Sequence, residues 1–215
     1  MRGAFVTFEG GEGAGKTTQI KLLAAQLQAQ GRDVVLTREP GGTQGAEAIR
    51  ALILTPSSFN LSSVTETLLF FAARCDHVEK VIVPALKRGT VVLCDRFVDS
   101  TLAYQSALGE VEPRIIVKLA KLVLGDLKPD LTFILDVMPE EGIKRAALRR
   151  GEDIVDRFES ESLEFHHRVR DQFLAIAQAE PTRCAVLDGN QDQGALGADV
   201  FDIFMKRLGV YSHLK

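Results

Sequence analysis

The sequence predicts one α/β domain, built on a parallel sheet of five strands with helices on both faces. Three observations carry this. Short β-type runs alternate with longer amphipathic stretches, the pattern of strands joined by crossover helices. A glycine-rich loop falls between the first strand and the first helix. Three strands run straight into an aspartate, Asp95, Asp136 and Asp188, at the ends where open α/β sheets place their ligand crevice.

In chain order, residues 4–8 form the first strand. A helix follows over 16–30, stopped by Gly31 in the position helix C-termini favour. Residues 34–37 are the second strand, 91–94 the third, 131–135 the fourth and 184–187 the fifth. Helical periodicity marks 47–54, 65–74, 78–88, 113–124, 140–150, 163–179 and 195–208. Asp136 is read as capping the next helix, since Pro139 follows at about its first turn, and Asp188 likewise belongs to the turn Asp188-Gly189-Asn190. No repeat, low-complexity tract or linker divides the chain, so residues 1–215 form a single domain.

Composition narrows the function. With 46% hydrophobic and 26% charged residues the chain is an ordinary globular one, not a disordered one. At this length roughly 70% of the unfolded surface becomes buried, enough for a core without staples. Apolar runs such as 68–73 are far short of the ~20 residues of a membrane span, and Glu9 interrupts the N-terminal apolar run too early for a secretory signal. A net charge of −3 argues against nucleic-acid binding by bulk phosphate neutralisation. Cys75, Cys94 and Cys184 form neither a metal-ligand nor a disulfide pattern and are read as small buried hydrophobes. A cytoplasmic protein is expected.

The sharpest motif is Gly10-Gly11-Glu12-Gly13-Ala14-Gly15-Lys16-Thr17, a complete G-x-x-x-x-G-K-[ST] loop between a strand and a helix. Its glycines let backbone N–H groups turn inward around phosphate oxygens, and the helix N-terminus adds its positive end. Lys16 is placed to reach the β- and γ-phosphates, and Thr17 to ligate Mg²⁺. Thr18 completes the phosphate-binding run. Counting from Gly11, the sixth position is Lys16, which excludes a dinucleotide fingerprint. Glu12 would repel a triphosphate, so it either points away, towards an acceptor or a hydrated metal, or is a solvated loop carboxylate. Ala14 leaves the loop without a second cation beside Lys16, so γ-phosphate charge must be neutralised from elsewhere.

The motifs argue against a GTP switch. No aspartate has glycine three residues later, and Leu127-Lys128-Pro129-Asp130 has leucine where a guanine motif needs asparagine or threonine. Two clusters favour a small kinase. Asp95 at a strand end suits a hydrated Mg²⁺, with Arg96 beside it able to bridge two phosphates. A lid segment over about 143–158 gathers Lys144, Arg145, Arg149, Arg150 and Arg157. No general base stands out, which fits a nucleoside monophosphate acceptor whose attacking oxygen is already ionised.

These residues resemble the bacterial thymidylate kinase family. The resemblance rests on Phe8-Glu9-Gly10-Gly11-Glu12-Gly13-Ala14-Gly15-Lys16-Thr17-Thr18, then Thr37-Arg38-Glu39-Pro40-Gly41-Gly42-Thr43. Phe71-Ala72-Ala73-Arg74, Asp95-Arg96-Phe97 and Ala103-Tyr104-Gln105 follow in family order, over nearly the whole chain. It implies a P-loop NTPase fold with a lid, ATP as donor, dTMP as acceptor and Mg²⁺ between donor phosphates. It further implies thymine stacked on Phe71 and read at a carbonyl by Arg74, with Tyr104 crowding the sugar 2′ position. Ser100, Thr101 and Gln105 fall in the same acceptor-side stretch, and Glu12 matches the carboxylate aimed at the acceptor sugar. Since Phe70 and Phe71 are adjacent, at most one shares a pocket with Arg74, and both could be core. Ala14 with a basic lid matches the subtype whose catalytic arginine comes from the lid; between Arg149 and Arg150 the choice is Arg150. The resemblance also implies a homodimer. A kinase for another small acceptor, or an ATP-binding module without catalysis, are the competing readings. His77, His166, His167 and His213 receive no role.

Overall fold

The computed structural model describes residues 2–54, 61–109, 111–150 and 157–209, with the side chains of 149 and 150 outside the description. Five strands, β1 (Phe5–Glu9), β2 (Val34–Arg38), β3 (Val91–Asp95), β4 (Leu131–Asp136) and β5 (Cys184–Asp188), form one sheet in the order β2-β3-β1-β4-β5. All pairings are parallel. β1 is central and entirely buried, so the chain leaves it first to one side and later to the other. The loop after β1 therefore opens at the switch point where such sheets bind ligands.

Alternation along the strands sorts the core into two layers. Val6, Phe8, Leu93, Phe133 and Leu135 face α1 (Lys16–Ala29) and α9 (Gln193–Leu208), packing on Leu23, Leu27, Val200 and Phe204. On the other face, Phe5, Val92 and Cys94 pack on residues of α4 (Val83–Lys87), and Ile134 and Cys184 pack on Phe165 and Phe173 of α8 (Leu163–Ala179). That second face also carries polar residues: Thr7 and Thr132 share a buried hydrogen bond of 2.7 Å across β1 and β4.

The remaining helices are α2 (Gln44–Leu54), α3 (Ser63–His77), α5 (Val98–Ala107), α6 (Pro113–Leu124) and α7 (Pro139–Arg150). Two depart from the sequence reading. The helices expected over 65–74 and 78–88 are continuous: α3 runs through a π-turn at Val78–Ile82 directly into α4, where Pro84 falls in the first turn and needs no donor. Its start moves back to Ser63 because Ser62 caps it, accepting from Thr65 N at 3.2 Å. Helix α5 is an addition. Its polar positions Asp99, Ser100, Thr101 and Gln105 are buried beside Ala103 and Tyr104, so it lacks the apolar stripe that marks a surface helix.

The two aspartates read as caps behave differently. Asp136 takes Arg170 of α8 in a bidentate pair, at 2.6 and 2.8 Å. Asp188 accepts from the backbone N and the side-chain amide of Asn190, both at 2.9 Å, forming a turn; the cap of α9 is Asp192. All three cysteines are free, and Cys75 is partly exposed where burial was expected.

Candidate active site

A cleft of about 910 Å³ opens over the carboxyl ends of the strands, within the range of small-molecule sites. The phosphate loop forms one wall, from Glu12 to Thr18; α5 and the strand-end Asp95–Arg96 form the floor; α3 and the 37–42 loop form the opposite wall. The loop is pressed against α7. A β-carbon on Gly13 (φ +64°) would fall 2.0 Å from the carbonyl oxygen of Gly142, so glycine is required there. Lys16 folds back on the loop, donating to the carbonyls of Gly10 at 3.0 Å and Gly11 at 2.7 Å. Burial and the neighbouring Arg96 pull its ammonium down to about 8, against the opposing pull of Glu12 and Asp95.

Three predicted residues converge on one spot. Arg96 donates to Glu12 Oε1 at 2.6 Å, and Tyr104 donates its hydroxyl to the same oxygen at 2.7 Å. The guanidinium also reaches the Gly10 carbonyl at 3.0 Å and Ser100 Oγ at 3.2 Å, and lies 4.9 Å over the Tyr104 ring. Burial alone would raise Glu12; Arg96 and Lys16 outweigh it and leave the carboxyl at about 2. Burial likewise opposes the charge on Arg96, and Glu12 chiefly reverses that, pushing it above its usual value. Arg96 has φ +66°, a left-handed backbone costly for a residue with a β-carbon. Its N–H still bonds Phe8 O at 2.9 Å, so the sheet end holds the strain that turns the side chain into the cleft.

Thr17 Oγ1 donates to Asp95 Oδ2 at 2.7 Å. A hydroxyl and a carboxylate side by side at the loop mouth form the hard oxygen set that Mg²⁺ takes while keeping several waters. The residues fit that ion.

The base-side wall corrects one expectation. Phe70 lines the cleft, whereas Phe71 is buried under α6 with Val111 and Ile116. Positions three and four before Arg74 both neighbour it on a helix, so spacing could not separate them; the packing of α6 did. Arg74 lines the cleft at 2% exposure. Gln105, 1% exposed, also lines it, and neither its amide oxygen nor its nitrogen has a partner among the described residues. Ser100 and Thr101 stand on the floor.

Two lid arginines have partners within the fold. Arg157 forms an ion pair with buried Glu66 of α3, not with the phosphate loop. Arg145 holds the turn after β5, donating to Gly189 O at 2.8 Å and Asn190 Oδ1 at 3.1 Å. Both find partners from elements distant in sequence, which a count of lid charges does not reveal. Arg149 and Arg150 close α7, with side chains outside the described residues, as are residues 151–156. Phe158, directly after Arg157, lies at the cleft edge and meets the Tyr104 ring edge-on at 5.5 Å.

Some residues of this site were not singled out. Glu9 lies fully buried beneath the floor, accepting from Phe97 N at 2.8 Å and Ser100 Oγ at 2.5 Å; burial, then Asp99, push it up to about 7. Arg38 and Arg50 add cationic side chains to the wall, Arg38 paired with Glu47 at 3.1 Å and Arg50 donating to Pro40 O at 2.9 Å. The available signal was the position of Arg38 and Glu39 at the end of β2, the sheet end that faces the cleft.

A family model described as thymidylate kinase matches residues 8–200. The chain is 55% identical over 207 residues to the thymidylate kinase of a Bradyrhizobium species, covering 96% of this chain and 92% of that protein. It is 52% identical over 209 residues to the thymidylate kinase of Caulobacter vibrioides, covering 97% and 99%. Among solved structures, the thymidylate kinase of Ehrlichia chaffeensis superposes with a TM-score of 0.76 at 37% identity, covering 95% of this chain and 99% of that one.

Proposed function

The chain belongs to the thymidylate kinase family, and from that membership we propose how its residues carry out the transfer. It is a kinase that phosphorylates dTMP to dTDP with ATP as donor. The observation that carries the residue assignment is Arg96, which touches the donor side at the Gly10 carbonyl and the acceptor side at Ser100 and Glu12.

The loop 10–18 and Lys16 hold the triphosphate, the loop through inward N–H groups and the start of α1 through its dipole. Thr17 and Asp95 would hold Mg²⁺, which when bound spreads the charge of the donor phosphates. Arg96 offsets the repulsion between donor and acceptor phosphates. The acceptor oxygen is ionised already, so these residues have only to position and neutralise. Glu12 and Tyr104, joined by a hydrogen bond, form a surface against which the sugar rests, with the Tyr104 ring crowding its 2′ position. Phe70 takes the stacking role in place of Phe71, Arg74 donates to a base carbonyl, and Gln105, Ser100 and Thr101 complete the acceptor pocket. Arg150, at the end of α7, supplies the lid charge to the γ-phosphate.

The domain spans 1–215, its lid about 143–158, and it works in the cytoplasm as a homodimer. Exposed Val64 and Leu68 on one face of α3, beside exposed Ile115 and Leu122 on one face of α6, support the dimer. Among the described residues no helix is long and apolar enough to cross a membrane.

Acceptor assays with dTMP, dUMP, dCMP and AMP test the assignment; absence of dTMP turnover overturns it. Lys16→Met lowers turnover by about a hundredfold or more with an unchanged circular dichroism spectrum. A melted fold in that variant would remove the inference about Lys16.

A further inference from the structure

Beside Arg74 lies a relay that the mechanism above does not use, with Thr37 and Glu39 on the cleft wall and His77 buried beneath them. Arg74 Nε donates to Glu39 Oε2 at 2.7 Å. The other carboxylate oxygen, Oε1, is 2.9 Å from His77 Nδ1, and His77 Nε2 is 2.6 Å from Thr37 Oγ1. Glu39 is 4% exposed and His77 fully buried. A carboxylate only accepts, so the His77 ring must present its Nδ1–H to Glu39 and its other nitrogen to the threonine hydroxyl. Gly42 seals the far side: a β-carbon there would lie 2.6 Å from the His77 ring and from Thr37 Oγ1.

The three nitrogens of Arg74 are not equivalent. Nε is held by Glu39, and Nη2 by Phe97 O at 3.1 Å and Thr101 Oγ1 at 2.9 Å. Nη1 is buried with no partner among the described residues, on a side chain that lines the cleft. The rings of Phe71 and Phe97 lie 5.0 and 5.3 Å from the guanidinium carbon. A guanidinium so removed from water needs a counter-charge, and Glu39 is the carboxylate paired with it. Because His77 takes the second oxygen, the carboxylate cannot rotate, and the plane of the guanidinium is fixed with it.

We propose that Glu39, itself held by His77 and Thr37, is the positioning residue that aims Arg74 Nη1 at the base of the acceptor. This rests on the reading of Arg74 as the group that meets that base. A donor-only nitrogen favours a base edge presenting a carbonyl, as thymine does, and rejects one presenting an amine, as cytosine does. Discrimination then depends on the aim of that nitrogen, so the relay is a specificity determinant that acts through Arg74. Glu39→Gln sets an amide N–H against either Arg74 or His77. His77→Phe frees the carboxylate to turn, and His77→Asn returns an N–H close to the Nδ1 position.

The test compares kcat/KM for dTMP with that for dCMP in wild type, Glu39→Gln, His77→Phe, His77→Asn and Arg74→Ala, with KM for ATP measured alongside. Glu39→Gln and His77→Phe are expected to raise KM for dTMP and lower the dTMP-to-dCMP ratio about tenfold or more, leaving KM for ATP unchanged. His77→Asn is expected to keep most of the ratio. If Arg74→Ala collapses the ratio while folded Glu39→Gln and His77→Phe preserve it, the positioning role is wrong. A parallel rise in KM for ATP, or no rescue by His77→Asn, also overturns it, because either marks a general structural effect. If Glu39→Gln does not fold, the His77 pair decides. An unchanged ratio in Arg74→Ala defeats instead the reading of Arg74, and absence of dTMP turnover in wild type defeats the function.

Discussion

Single side chains in this protein are assigned by what they touch, and the contrast between Phe70 and Phe71 shows how much that matters. Phe71 is 3% exposed and packs on Ile116, so it serves the interior; Phe70 stands on the cleft wall. Phe70→Ala is expected to raise KM for dTMP by the equivalent of about 1–3 kcal/mol of stacking. Phe71→Ala is expected to cost about 3–5 kcal/mol of stability. Urea unfolding beside steady-state kinetics separates the two, and the reverse assignment would follow from the reverse pattern. Neither outcome was legible in the sequence. Both rings lie within a turn of Arg74, and only the position of α6, packed over one of them, decides which is covered. The Glu12–Arg96–Tyr104 cluster was more open to sequence reasoning. A carboxylate inside a phosphate loop needs a partner, and the strand-end Arg96 was an available one.

At the scale of elements, α5 is the one that periodicity could not find and the site most needs. Its polar residues are inside because they belong to ion pairs and hydrogen bonds with other elements, so its sequence shows no solvent face. Asp99 is held by Arg183, just before β5, at 2.6 Å, and the same guanidinium donates to Thr132 of β4 at 2.7 Å and pairs with Glu180 at 3.0 Å. Arg183 thus staples the floor of the cleft to the sheet from below. With both Arg183 and Asp99 about nine-tenths buried, Arg183→Ala would leave a carboxylate unpaired inside the protein. The expected cost is about 3–5 kcal/mol, measurable by denaturant titration. A loss within the range of a surface ion pair would show that water reaches Asp99 and that the staple is unimportant.

For the whole molecule, the central strand ends in a fully buried ionisable group, Glu9, and this sets a pH dependence. Glu9 is raised from its ordinary 4.5 to about 7, by burial first and by Asp99 second. Between those values the folded protein holds a proton that the unfolded chain has released. Stability therefore falls as pH rises from about 4.5 to about 7, and is level above that. Glu12 has the opposite sign: its carboxyl is lowered from 4.5 to about 2, so its contribution is present above 4.5 and disappears as pH falls towards 2. Unfolding free energies between pH 4.5 and 8 are expected to decline in wild type and to flatten in Glu9→Gln, whose amide retains an acceptor for Phe97 N. Parallel pH profiles would show that Glu9 does not titrate in this window.

The amino-acid order alone determined the parallel sheet, its five strands, the phosphate loop and the adjacent Asp95 and Arg96 at a strand end. These are local patterns: periodicity, glycine spacing and strand termini act between residues close in the chain. Tertiary structure decided which aromatic ring faces the cleft, why Arg145 and Arg157 turn to Asn190 and Glu66, and that Glu39, His77 and Thr37 stand beside Arg74. The physical reason is that a charge or ring takes the partner that packing brings within reach, and a buried cation accepts no substitute for it. Those partners lie as far as 91 residues away, as Glu66 does from Arg157, beyond anything periodicity records.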